Sequence, residues 1–141
     1  MLKLGLNQDL TFDFETSINL NGDSGPYLQY THARCQSVLA KAGKVGESFS
    51  VSEMAKGERE LLSTIGFFKE TVLDAGRALA PNILTIYLYE LAQKYNLFYN
   101  NLPILKAEEQ VRSRRLALTA ATAKVLSQGL YLLGISAPGK M

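Results

Sequence analysis

The chain has 141 residues and a net charge of +2, with 47% hydrophobic and 20% charged residues. This length suits one domain with its own core, and this composition excludes a disordered chain. The single cysteine excludes an internal disulfide, and Cys35 and His32 alone cannot supply the four ligands of a structural zinc site. No apolar run reaches the roughly 18 residues of a membrane span, and the N-terminal residues lack the apolar stretch of a signal peptide. We therefore expect a soluble globular domain of the reducing cytoplasm, with no membrane partner.

Apolar spacing predicts an all-α fold, a helical bundle of about five helices after a short irregular lead-in. In this lead-in, residues 1–23, the letters TFDFE alternate as a short strand does. Ser24 and Pro26 indicate the start of the first helix and Gly43 its end. The predicted helices are 24–42, 53–65, 68–79, one from Pro81 to a break at Pro103, and 106–133. We expect two parts, a linker over 1–23 and a bundle over 24–141.

Apolar residues at helical spacing also predict the side chains that face the core. On the first helix these are Leu28, Thr31, Cys35, Val38 and Ala42, and on the fourth Leu84, Leu88, Leu91, Tyr95 and Phe98. The second helix is expected to turn inward Leu61, Leu62 and Ile65. The last helix carries a seven-residue repeat of Val111, Leu118, Val125 and Leu132.

Two basic segments without acidic residues alternate with two acidic segments. Residues 25–46 contain Arg34, Lys41 and Lys44, and residues 110–141 contain five more basic side chains. If the fold brings the two segments together, they form a positive surface suited to phosphate. The alternative is that these charges lie on ordinary solvated helix faces.

The sequence offers no self-contained catalytic site. His32 lacks a partner carboxylate, and Cys35 falls on the apolar stripe, as a buried structural thiol does. Glu108 and Glu109 are adjacent in sequence and therefore point apart on a helix. No glycine-rich phosphate loop is present. We predict no catalytic, cofactor or metal residue in this chain.

Tyrosines and polar side chains form two helix faces beside the core stripes. The first helix carries Tyr27, Tyr30, Arg34 and Lys41, and the fourth carries Tyr89, Ala92, Asn96 and Tyr99. Aromatic rings that stack on bases, amides and arginines that read base edges, and cations that hold phosphates are what single-stranded RNA recognition requires. The alternative is that these tyrosines border the core with their hydroxyls in water.

Three stretches resemble the C-terminal, anticodon-binding (DALR-type) domain of the class I arginyl-tRNA synthetases. SGPYLQYTHARCQSVLAKAG, residues 24–43, is similar to the family pattern G-P-Y-x-Q-Y-x-H-x-R. Residues 74–105, from DAGRALAP to FYNNLPIL, resemble the pattern A-P-x-x-L-x-x-Y-L-x-x-L-A-x-x-F-x-x-F-Y. Residues 115–141 resemble the family's last helix and its closing L-G-I-x-x-P-x-x-M. The lead-in is similar to the segment that joins the catalytic domain to this one.

Two departures from the family pattern bear on function. The H-I-G-H and K-M-S-K-S signatures that bind ATP in these enzymes are absent from the chain. The resemblance thus implies a fragment or separately encoded piece that is inactive alone, with ATP bound in a catalytic domain elsewhere. The Asp-Ala-Leu-Arg motif reads Asp74 to Arg77 with Gly76 in place of Leu, which puts the local packing of the third helix in question.

The resemblance also implies which residues approach the anticodon loop: Tyr27, Tyr30, Arg34, Tyr99 and Met141. As phosphate contacts we predict Lys41, Lys44, Arg112 and Arg115, where Arg115 has the alternative of capping a helix or pairing within the bundle. From position we add base contacts by Asn96, Asn100, Asn101 and Arg115.

The leading hypothesis is a domain that binds the anticodon loop of arginine tRNA and reads its middle cytosine. Its partners would be that tRNA and the catalytic domain, not DNA. The alternative is a helical scaffold or protein-interaction module derived from this domain, without tRNA reading. A self-contained hydrolase or transferase is disfavoured because no titratable groups converge.

Overall fold

The computed structural model describes residues 24–43 and 53–141, and within these ranges it contains five helices and no strand. The helices are α1 (Gly25–Ala42), α2 (Lys56–Gly66), α3 (Phe68–Arg77), α4 (Pro81–Asn101) and α5 (Glu109–Leu132). The predicted all-α bundle is confirmed. The expected strand-like TFDFE and the linker over 1–23 lie outside the described residues.

Helix boundaries follow local chemistry. The Ser24 hydroxyl accepts a hydrogen bond from the Tyr27 N–H at the start of α1, and Gly43, with φ 69°, ends it. The second helix begins three residues later than predicted because Glu53 has φ 58°, a left-handed conformation that a helix cannot include. Leu79, with φ 50°, likewise keeps α3 from reaching its predicted end.

The fourth helix is the centre of the bundle and touches each of the other four helices. Its five predicted core residues are all buried, and Tyr95 and Phe98 are among the largest fully buried side chains. The predicted stripe of α1 is buried as well. None of the described helices is long and apolar enough to cross a membrane.

Two core predictions were wrong. Leu62 is 45% exposed because Leu61 already faces the core and the next side chain points about 100° away. On α5, Leu118 and Val125 are buried, whereas Leu132 is 54% exposed. A straight helix drifts by about 20° per seven residues, so a seven-residue repeat leaves the core at its ends.

A buried ion pair joins α2 to α5. Glu58 has no exposed surface, and its carboxylate accepts hydrogen bonds from Arg115 Nε at 2.8 Å and Arg114 Nη2 at 3.2 Å. The backbone N–H of Ala55 donates to the same carboxylate at 2.7 Å and so fixes the first turn of α2. Burial alone would raise the pKa of Glu58, but the Arg115, Ala55 and Arg114 hydrogen bonds together hold this pKa below its usual value.

The α4–α5 contact leaves no room for a Cβ at position 129 unless the Leu88 side chain moves. A Cβ built there would lie 2.5 Å from Leu88 Cδ2. At Gly76, where the family motif has Leu, a Cβ would meet nothing within 4 Å, and the neighbouring Ala75 is still buried. The Gly76 departure therefore leaves the packing of α3 intact.

These two glycines predict opposite effects of the same substitution. Gly129→Ala forces Leu88 to move, which we expect to lower the free energy of unfolding by about 1–3 kcal/mol. Gly76→Ala improves helix propensity in open space and should raise that free energy by about 0.5–1 kcal/mol. Urea unfolding followed by circular dichroism measures both. Equal effects of the two substitutions would contradict the close contact.

Removing the Glu58 charge should destabilise the bundle strongly. Glu58→Gln removes the buried carboxylate that pairs with Arg114 and Arg115, and we expect the free energy of unfolding, measured with urea at pH 7, to fall by about 3–5 kcal/mol. The matched control is Glu60→Gln, since Glu60 is half exposed and forms a 3.7 Å ion pair with the exposed Lys56. Its loss should lower the free energy of unfolding by less than about 1 kcal/mol.

The same carboxylate predicts an acid dependence of stability. Because folding lowers the Glu58 pKa, its stabilising contribution is present above the usual value of 4.5 and is lost as pH falls through the folded-state value. Urea midpoints measured at descending pH from 6 should therefore decline more steeply for the wild-type chain than for Glu58→Gln. Parallel pH profiles would show that Glu58 is not the titrating group.

Candidate nucleic-acid interface

Helices α1 and α4 lie side by side and run in the same direction. Tyr27 packs opposite Tyr89, and two turns further along Arg34 packs opposite Asn96. The two polar faces predicted from sequence therefore meet along one seam. Tyr30 and Tyr99, which both contact Arg34, remain accessible at 37% and 39% exposure.

The guanidinium of Arg34 lies between two tyrosine rings. Its Cζ is 4.9 Å from the centroid of the Tyr30 ring and 5.0 Å from that of Tyr99. It donates hydrogen bonds to Asn96 Oδ1 at 2.7 Å and to the Tyr30 hydroxyl at 3.2 Å. Cation–π attraction and these hydrogen bonds fix a planar cation between two half-exposed rings.

Asn96, on α4, holds Arg34 in position through hydrogen bonds. Its Oδ1 accepts from Arg34, while its Nδ2 donates to the Tyr27 hydroxyl at 2.9 Å and to Thr31 Oγ1 at 3.1 Å. The amide is thus engaged at both ends by neighbours in α1. The predicted base contact by Asn96 is therefore replaced by a supporting role.

Two of the predicted surface tyrosines belong to the structural framework. Tyr89 is only 4% exposed because the Tyr27 ring stacks over it, with centroids 6.0 Å apart and planes within 4°. Ala92, placed on the same face, has no exposed surface. Tyr27 is half-buried and reaches the cluster through its hydroxyl. Tyr30 and Tyr99 are the tyrosines of the two faces that stay accessible.

The C-terminal residues return to α1. Gln29 Nε2 donates to the carbonyl of Ser136 at 2.8 Å, and His32 Nδ1 lies 3.0 Å from the carbonyl of Pro138. Because a carbonyl only accepts, Nδ1 carries the proton and Nε2 accepts from Gln36. This buried histidine holds the chain end on the same helix as Tyr30 and Arg34, and Met141 is 63% exposed at its tip.

The predicted phosphate contacts separate into exposed and internal groups. Lys41 is exposed on α1, and Lys44 lies outside the described residues. Arg112 donates a hydrogen bond to the carbonyl of Ala42 at 2.8 Å. Arg115 is only 8% exposed and donates to the Glu58 carboxylate and, at 2.6 Å, to the carbonyl of Pro103. A phosphate role for Arg115 is thus contradicted, because its guanidinium is buried and paired.

The predicted positive surface of residues 25–46 and 110–141 is smaller than expected. The two acid-free segments do pack together, as α1 on α5, but Arg112, Arg114 and Arg115 all turn toward the bundle. Lys124 and Lys140 of the second segment are exposed, as is Lys41 of the first. Lys106, in the α4–α5 connection, is a further exposed cation that the sequence pattern did not indicate.

The remaining reactive groups are structural. Cys35 is fully buried, and burial raises the pKa of its thiol to about 12, so that it is protonated and unreactive at neutral pH. Among the described residues, no group of three His, Cys, Asp or Glu side chains is arranged to hold a metal ion. The arrangement offers stacking, hydrogen bonding and positive charge, which serve binding.

The chain matches the DALR anticodon binding domain family over residues 28–141. The arginine–tRNA ligase of Thermococcus kodakarensis is 41% identical over 150 aligned positions, which cover 100% of this chain and 23% of that protein. That of Bacteroides thetaiotaomicron is 40% identical over 147 positions, covering 100% of this chain and 25% of the relative.

A solved structure shows the same fold. The arginyl-tRNA synthetase of Thermus thermophilus superimposes with a TM-score of 0.94 and 37% identity, over 99% of this chain and 25% of that one. This chain therefore spans about a quarter of the length of these relatives.

Proposed function

The chain belongs to the family of DALR anticodon-binding domains, and on that premise we propose that it binds the anticodon loop of arginine tRNA as one domain of an arginine–tRNA ligase. The relatives that cover the whole chain carry that ligase name. In this proposal the chain supplies tRNA recognition, while a catalytic domain elsewhere in the enzyme binds ATP and arginine. The cytoplasmic location predicted from the sequence belongs to the same proposal.

The observation that carries the proposal is the Tyr30–Arg34–Tyr99 cluster. Single-stranded RNA is recognised through unstacked bases that lie on aromatic rings or guanidinium planes. Tyr30 and Tyr99 each leave more than a third of their surface accessible, and Arg34 is held between them. Because Asn96 fixes the guanidinium in advance, little side-chain freedom remains to be lost on binding.

The base most suited to this cluster is the middle base of the anticodon. Every arginine codon has G in the middle, so every arginine tRNA has C at the corresponding anticodon position. Cytosine offers two acceptors, N3 and O2, and the guanidinium has five N–H donors. Two of these donors have partners among the described residues, Asn96 and the Tyr30 hydroxyl. We infer that Arg34 donates to cytosine from its remaining donors.

The proposal also includes Met141 and Lys41, which lie outside the Tyr30–Arg34–Tyr99 cluster. Met141 is the last residue of the C-terminal segment, which is hydrogen-bonded to α1, the helix that carries Tyr30 and Arg34. Lys41, on the same helix face, is assigned to the phosphate backbone. The alternative of a scaffold module has no observation of its own in its favour.

The proposal predicts selective binding of one loop. We expect the chain to bind an arginine-tRNA anticodon stem-loop more tightly than the same loop with the middle cytosine changed to uracil. The difference should be roughly 1–3 kcal/mol, or about five- to 150-fold in Kd, as expected for one well-read base. Fluorescence anisotropy at two salt concentrations measures it, because phosphate contacts alone give salt-dependent binding without sequence preference.

Variants locate the binding to the cluster. Arg34→Ala should weaken binding of the cytosine loop by a similar factor and reduce the preference for cytosine. Tyr99→Ala should weaken binding of both loops, because a stacking ring is lost. Arg77→Ala is the matched control, since Arg77 is exposed on α3, where it forms a 3.7 Å ion pair with the exposed Asp74. Equal binding of both loops by the wild-type chain, or a loss for Arg77→Ala as large as that for Arg34→Ala, would refute this assignment.

A further inference from the structure

A groove next to the Tyr30–Arg34–Tyr99 cluster has no role in the interface described so far. Its volume is about 390 Å³, and it lies between α1 and the segment that joins α4 to α5. This volume is within the roughly 300–1,000 Å³ of protein sites for small ligands, and one nucleotide fits in it. Arg34 and Tyr99 form the wall shared by the cluster and the groove.

The lining of the groove combines an apolar floor with a positive rim. Val38 and Ile104 are 5% and 6% exposed and provide the floor together with Leu102. Ser37 and Asn100 add a hydroxyl and an amide, and Lys41 and Lys106 contribute two exposed cations from opposite sides. None of the described residues that line it is acidic. A flat apolar ring with a phosphate on either side matches this lining.

Two arginines of α5 hold the walls of the groove in place. Arg112 donates to the carbonyl of Ala42, the last residue of the α1 wall, at 2.8 Å. One turn later Arg115 donates to the carbonyl of Pro103, in the opposite wall, at 2.6 Å. Arg115 is itself fixed by Glu58. Two part-buried hydrogen bonds from one helix thus hold both walls of the groove.

We propose that this groove binds a second nucleotide of the RNA loop, next in the strand to the base on the Tyr30–Arg34–Tyr99 cluster. Its base lies on the floor of Val38, Leu102 and Ile104, and Lys41 and Lys106 contact its phosphates. The floor presents no hydrogen-bonding group, so binding depends on the base being present more than on its identity. Arg112 and Arg115 are positioning residues for this subsite. The inference rests on the proposed function, since the RNA loop is its ligand.

Filling the groove tests this subsite. Ser37 is exposed on α1, and its hydroxyl donates to the carbonyl of Ala33, four residues earlier in the same helix, so Ser37→Phe should fold normally and occupy the space. Ser63→Phe is the matched control, because Ser63 is also exposed on a helix but lines a different groove, one with Glu70, Asp74 and Glu90. Circular dichroism and urea midpoints check that both variants are folded.

The ligands are the arginine-tRNA stem-loop and a series of the same loop with one abasic residue at each loop position. We expect Ser37→Phe to bind the intact loop about tenfold or more weakly than the wild-type chain does, as for the loss of one stacked base. Ser63→Phe should bind this loop as the wild-type chain does. The loss should vanish on a single abasic loop, the one whose missing base adjoins the middle position. The preference for middle cytosine over uracil should stay unchanged in Ser37→Phe.

Charge gives a second readout. Replacing Lys41 and Lys106 by Ala should reduce the slope of log Kd against log salt by up to about 1.4, or 0.7 for each phosphate contact on a single strand. Lys69→Ala, a lysine exposed on α3, should leave the slope unchanged.

The outcomes separate this proposal from the proposed function. If the wild-type chain prefers middle cytosine but Ser37→Phe binds like wild type, the groove proposal is wrong and the cluster assignment stands. A Ser37→Phe loss of equal size on every abasic loop also overturns it. If the wild-type chain has no preference for cytosine, the proposed function fails, whereas a Ser37→Phe loss that is absent from one abasic loop alone would still support the groove. A chain that binds none of the loops contradicts both.

Discussion

The buried carboxylate of Glu58 is the constraint on which much of this bundle depends. It lies where α2 meets α5 and accepts hydrogen bonds from two arginines and from the first turn of its own helix. A buried charge is costly unless it is paired and fully hydrogen-bonded, so each of these groups is required by the others. Through Arg115 the same network reaches the carbonyl of Pro103 and fixes the connection between α4 and α5. A core interaction therefore determines the shape of a surface 390 Å³ groove.

A second hydrogen-bond network, centred on Asn96, positions the side chains on the other side of the groove. Its amide ties α4 to α1 and aims Arg34 between two tyrosine rings. One network is centred on a carboxylate and the other on an amide, yet both groups make their hydrogen bonds to other parts of the protein. What they leave accessible is a set of rings, a guanidinium and two lysines. The division between supporting and exposed groups is what a preorganised binding surface requires.

Much of this could be predicted from the sequence because the relevant patterns are local. Helix spacing predicted the five helices and the core stripes of α1 and α4, and capping residues predicted where α1 begins and ends. The Tyr30–Arg34 face follows from a spacing of four residues. These features depend on neighbours within two turns, which a single sequence displays directly.

The errors arose where distant contacts decide the outcome. Arg112 and Arg115 look like surface cations in the sequence, and only the position of Ala42, Glu58 and Pro103 around them shows that they point inward. One signal was available: Glu58 precedes the core residue Leu61 by three positions and therefore shares its buried face. Tyr89 was placed on an accessible face because nothing in α4 itself reveals that Tyr27 of α1 covers it.

The most direct test of the central claim is to identify the protein atoms that surround the middle anticodon base. A stem-loop carrying 5-iodocytidine at that position would be irradiated in complex with the chain, and the crosslinked peptide sequenced by mass spectrometry. Because the base is expected to lie against the exposed tyrosines, the crosslink should map to Tyr30 or Tyr99 and weaken in Arg34→Ala. A crosslink that maps to α2 or α3 in a chain that binds the loop would contradict recognition by the Tyr30–Arg34–Tyr99 cluster.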